Sequence, residues 1–107
     1  MLLSSALYGQ QHAAPETVYA VVFGFVIDQN GDLKSFRVSK VIDPRSGSAD
    51  PVAVEVPKTY ISAARAQLLS KGYKATVENG ELKETFTYFY YDPKQPHRAD
   101  IEPRAKR

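Results

Sequence analysis

Asp28, Asn30 and Asp32 are the residues whose types and spacing come closest to a chemical site. They stand at alternate positions, as the first three oxygen ligands of a calcium-binding loop do. Such a loop also needs glycine at its sixth position and glutamate at its twelfth, and here those positions hold Leu33 and Ser39. The coordination set cannot be completed, whereas a hairpin turn accounts for all three residues. No metal site is expected. The two histidines, His12 and His97, lie in segments without periodicity, where nothing positions an imidazole for acid–base work. Ser46, Ser48 and Ser62 have no candidate base within a defined element, so no nucleophilic triad can be assembled. The absence of cysteine excludes disulfides, thiolate nucleophiles and thiolate metal ligands. Neither Asn30-Gly31 nor Asn79-Gly80 belongs to a glycine-rich phosphate loop. The expectation is a protein without catalytic residues and without a cofactor.

The bulk properties narrow the class. A chain of 107 residues suits one domain, and 43% hydrophobic residues is ordinary for a globular one. A net charge of +2 is too small to imply a nucleic-acid partner. The basic pI owes much to Arg98, Arg104, Lys106 and Arg107 at the C-terminus. No apolar run approaches the roughly 20 residues that cross a bilayer as a helix, so no integral membrane span is expected. Residues 1–16 read as a leader closed by Pro15. Its short apolar stretch followed by small and polar residues fits a remnant of a secretory signal, although it lacks a basic start; the alternative is a flexible leader.

Elements that could carry a surface follow from periodicity. In the first strand, from about 17 to 28, odd positions Tyr19, Val21, Phe23, Phe25 and Ile27 are large and apolar. Even positions Val18, Ala20, Val22, Gly24 and Val26 are small to medium. A period of two puts these sets on opposite faces, so the strand should be central and covered on both. Gly24 marks a close approach or a bend. After the Asn30-Gly31 turn, a second strand over about 33–43 places Phe36, Val38 and Ile42 on one face with Lys34 and Lys40. Residues 43–51 read as a loop, and 52–56 as coil. A helix over about 57–71 carries a stripe of Tyr60, Ile61, Ala64 and Leu68, with Pro57 at its start and Gly72 at its end. A further turn at Asn79-Gly80 separates 73–78 from a closing strand within 81–92.

The fold class is therefore α+β, in the order β-β-α-β. Three strands, or four with a short extra one before the last, form an antiparallel or mixed sheet packed on one helix. The second and closing strands should flank the first and run parallel to each other through a split crossover. The folded domain should span 17–93, and 94–107 should be a disordered proline-containing basic tail. In the closing strand, Phe86, Tyr88 and Tyr90 share one face, and Thr85, Thr87, Phe89 and Tyr91 share the other. Such an aromatic strand can stack single-stranded nucleic-acid bases. The near-neutral body favours the simpler reading that one aromatic set packs under the helix and that nucleic acid is not a partner. Tyr19, Phe23 and Phe25 also exceed what one helix should need, which points to another protein or a second copy on an apolar sheet face.

The order and spacing of these elements resemble the C-terminal domain of TonB-type energy transducers. The resemblance rests on an opening strand of the form VxFxFxID, the turn DQNGD, a second strand, the Ala-rich helix segment ISAARAQLL, Tyr73 after the helix, and Asn79-Gly80 before the closing strand. Gly72 and Ala75 stand where that family usually has a Trp and a Pro. The resemblance implies a periplasmic or secreted module that contacts proteins by pairing a strand with a sheet edge, in envelope transport, with dimers through shared strands. The alternative location is cytoplasmic. Thr85, Thr87, Phe89 and Tyr91 of the closing strand are the expected protein-binding residues. The competing functions are a single-stranded nucleic-acid-binding sheet and a small-ligand-binding domain.

Overall fold

The computed structural model describes residues 17–102. The leader expected over 1–16 and the last five residues of the expected tail lie outside the described residues. The elements are β1 (Tyr19–Ile27), β2 (Leu33–Ile42), a 3-10 turn (Pro44–Ser46), α1 (Lys58–Ser70), β3 (Val77–Glu78), β4 (Glu81–Leu82) and β5 (Thr85–Tyr91). The fold is α+β, with a three-stranded antiparallel sheet in the order β2-β1-β5, one helix, and the small β3–β4 hairpin. β1 is central, as expected, but among the described residues only the face of Val21, Phe23 and Phe25 is covered by the helix; on the other face Ala20, Val22 and Val26 are half-buried beneath no second layer. Both neighbours run antiparallel to it, so β2 and β5 are parallel to each other.

The first turn differs in detail from a two-residue Asn-Gly hairpin. Only Gly31 has a positive φ there, at 87°. The loop is held by the Asp28 carboxylate, whose Oδ1 accepts from the amides of Asn30 and Asp32, both at 2.9 Å. The Asp28 side chain thus serves the turn itself. The second turn is the tight type: Asn79 and Gly80 both take left-handed angles, at 55° and 79°.

Register in β2 departs from simple alternation, for a clear reason. A strict period of two would group Lys34 and Lys40 with Phe36 and Val38. Two register shifts, between Val22 and Phe23 and between Val26 and Ile27, leave Ser39 and Lys34 without partners opposite β1. These bulges bring Leu33, Phe36, Val38 and Val41 opposite Ile27, Phe25, Phe23 and Val21 on one face. Lys40 and Ile42 turn to the other. Burying a lysine ammonium beneath the helix would cost far more than the lost ladder bonds, so the hydrophobic pattern sets the register.

The core lies between this face and α1. Tyr60, Ala64 and Leu68, one helical turn apart, are fully buried against it, and Ile61 is partly buried. Pro57 precedes the helix with extended angles, and its carbonyl accepts from the amides of Tyr60 and Ile61. Phe23 stacks on Phe36 with ring centroids 4.5 Å apart, and Tyr60 and Phe89 complete its surroundings. Tyr73 lies over Phe25 at 5.0 Å. Val52, Val54 and Val56 also pack against the core from the loop before the helix. Of the apparent surplus, Phe23 and Phe25 are buried inside the chain, and Tyr19 is partly buried with its ring centroid 6.5 Å from that of Tyr91. The helix is only one of three covers on that face.

The segment after Pro93 corrects another expectation. A disordered tail was expected from residue 94, yet 94–102 turns back onto the domain, buries Ala99 and pairs Ile101 with Tyr90. Two tight turns reverse the chain, with Asp92 and Gln95 carbonyls accepting from the Gln95 and Arg98 amides. Pro93 and Pro96, with their fixed φ, stand one in each turn and assist the reversal rather than prevent order.

Candidate functional site

β5 carries two different surfaces and one edge. Phe89 and Tyr91 are buried on the helix side. Tyr91 packs against Tyr60 at 4.8 Å, and the Tyr60 hydroxyl donates to the Tyr90 carbonyl at 2.9 Å. Burial, helped by the neighbouring Tyr91, pushes the Tyr60 hydroxyl far above its ordinary range, so it stays a donor. Thr85 and Thr87 are half-buried on the same side. Thr85 Oγ1 donates to Thr76 Oγ1 at 3.0 Å, and Thr87 Oγ1 lies 3.4 Å from the Tyr73 hydroxyl. All four residues expected to bind a partner therefore turn their side chains toward the core side. What β5 offers outward at these positions is its main chain.

Among the described residues, that outer edge is open over most of its length. β1 pairs with one side of β5 from Thr85 to Tyr91. On the other side, among the described residues, the pairing is a single antiparallel bridge between Tyr90 and Ile101. A cavity of about 520 Å³ runs along this edge. Gln67 and Lys71 at the end of α1, Tyr73, residues 87–90 of the strand, and residues 99–102 of the folded-back segment line it. Unpaired N–H and C=O groups at the bottom of a groove form a template for an added strand. Thr87 and Phe89 line this groove; Thr85 and Tyr91 do not. Gln67, Lys71, Tyr90 and Ile101 were not singled out from sequence, because only the fold-back brings them together.

The opposite sheet face has its own pattern. Phe86 and Tyr88 are 52% and 54% exposed there, beside Val22 and Gly24 of β1. Tyr88 and Tyr90 meet edge to face at 5.4 Å. Arg37 forms a two-pronged pair with Glu84, at 2.7 and 2.9 Å, and its guanidinium carbon lies 5.9 Å from the Phe86 ring centroid. This clasp explains Gly24. A Cβ there would meet the Glu84 carboxyl carbon at 2.8 Å and the Phe86 ring at 3.0 Å. The close approach expected at Gly24 is that of these two side chains.

The Arg37 hydrogen bonds hold the Glu84 carboxyl below its usual range. A depressed folded-state pKa contributes stability that is complete above the unfolded value of about 4.3 and is lost as pH falls toward the folded value. Glu84→Gln should therefore lower Tm at neutral pH, and the gap to wild type should close on acidification through the carboxylate range. Paired thermal melts from pH 7 to pH 3 check this; a gap constant with pH would contradict it.

Among the described residues, no group of three or more His, Asp or Glu side chains could hold a metal ion. No described helix is long and apolar enough to cross a membrane. No family model, curated protein or solved structure matches the chain.

Proposed function

We propose that this chain is a non-catalytic protein-interaction module similar to the C-terminal domain of TonB-type energy transducers, acting in the periplasm. It binds an extended segment of a partner along the outer edge of β5. The observation that carries this reading is the Tyr90–Ile101 bridge: the edge already accepts an extended stretch of its own chain, while among the described residues no strand pairs with 85–89 on that side. A groove alongside gives an added strand walls as well as a ladder. A second copy can use the same edge, which is the form a dimer would take.

Peptides selected from a random-sequence library on the immobilised full chain test this. Bound peptides should slow amide hydrogen exchange within 85–90, with little change in β2. Slowing confined to other elements would overturn the reading.

A second reading, a sheet that stacks single-stranded nucleic acid, draws on the exposed Phe86 and Tyr88 rings beside Arg37. It requires binding of single-stranded oligonucleotides that weakens steeply with salt and is lost on joint Phe86→Ala and Tyr88→Ala substitution. Failure to bind at low salt removes it.

A further inference from the structure

The segment that closes one end of the groove has the form of an added strand. Ala99 is 5% exposed, Asp100 exposed, Ile101 half-buried and Glu102 exposed, the alternation of an extended strand with one face inward. All four line the groove with Lys71, so acidic side chains and a cation share its walls. The bridge to Tyr90 is antiparallel, and the segment is therefore aimed along β5 toward Thr85. It is held by that bridge, by the buried Ala99 methyl, by a Thr59 hydroxyl donating to the Pro96 carbonyl at 3.3 Å, and by Arg98, which donates at 3.0 Å to the Gln95 side chain, itself a donor to the Asp92 carboxylate at 3.3 Å. The Arg98–Asp100 ion pair lies wholly within the segment and does not anchor it.

We propose that residues 98–102 are a displaceable strap, an internal stand-in for the partner strand. The partner segment is then of the same chemistry: extended, antiparallel to β5, with small apolar residues facing the groove and acidic residues between them. This rests on the edge-binding reading above. The partner gains the full edge only by displacing the strap, so the strap sets a threshold against weak or mismatched segments.

The test uses the full chain and a fluorescent peptide with the sequence of residues 96–102. Ala99→Asp places a charge in a buried site and should release the strap. Tyr90→Cys with Ile101→Cys, in a chain that has no other cysteine, should lock it under oxidation. Directly paired antiparallel residues have Cα separations within the range a disulfide spans. The released form should bind the peptide at least tenfold more tightly than wild type. The oxidised form should bind it more weakly than wild type, and reduction of the same variant should restore tighter binding. Equal binding by the released, wild-type and locked forms would overturn the strap while leaving the edge reading to its library peptides. Absence of binding to the released form would also overturn the strap. The edge reading fails separately, if library peptides protect other elements.

Discussion

Replacing Phe23 with alanine is expected to cost about 3–5 kcal/mol, a large share of the roughly 5–15 kcal/mol that holds a domain of this size folded. Phe23 is 0% exposed, at the centre of the central strand, and joins both flanking strands to the helix. Its ring stacks on Phe36 from β2 and meets Tyr60 from α1 and Phe89 from β5. Removing it opens a space walled by other rings, which cannot collapse inward without leaving their own contacts. Phe86→Ala, on the open face of the same sheet, should cost less than about 1 kcal/mol. Urea unfolding of the two variants measures the difference. Equal costs would mean that the core is not where the structure places it.

Proline at positions 87 and 88 of β5 should give opposite outcomes. Successive residues of a strand direct their N–H groups to opposite sides, so one of these amides meets β1 and the other meets the free edge. Proline removes the donor and sets a ring in its place. On the β1 side it breaks the ladder that joins β5 to the central strand, and the fold should lose stability. On the free side the fold should keep its melt, while affinity for edge-binding peptides falls at least tenfold. Thr87→Val retains the amide and the shape of the side chain, and should leave that affinity within about twofold, because the interaction is with the main chain. Thermal melts and peptide titrations of Thr87→Pro and Tyr88→Pro check both halves. A folded proline variant that binds peptide like wild type at both positions would contradict edge pairing.

The central place of β1 was legible from its two apolar sets at period two, although the face of Ala20, Val22 and Val26 is only half-buried. The helix was legible from Tyr60, Ala64 and Leu68, whose spacing fits a single stripe. The register of β2 was not, since bulges at Lys34 and Ser39 break the alternation. The apolar spacing 33, 36, 38, 41 carries that signal, but only once Lys34 and Lys40 are recognised as unable to share the buried face. The fold-back of 94–102 was hidden by its composition. Ala99 and Ile101 supply two apolar positions among prolines and charges, too few to register as a strand, and their role arises from contact with β5. For the same reason the closing strand could be named from sequence while the side its residues face could not. Thr85, Thr87, Phe89 and Tyr91 turn to the core side, and the edge they share is a property of the backbone. Gly24 signalled a close approach; that Glu84 and Phe86 make it depends on pairing between segments far apart in the chain.

The most direct test of edge binding is an isotope-filtered nuclear Overhauser experiment on the labelled full chain with an unlabelled library-selected peptide. Strand addition predicts main-chain contacts from the peptide to residues 85–89 of β5, in antiparallel order, with the Tyr90–Ile101 contact weakened as the peptide saturates. Contacts limited to the Phe86 and Tyr88 rings and Val22, without main-chain contacts along β5, would contradict it.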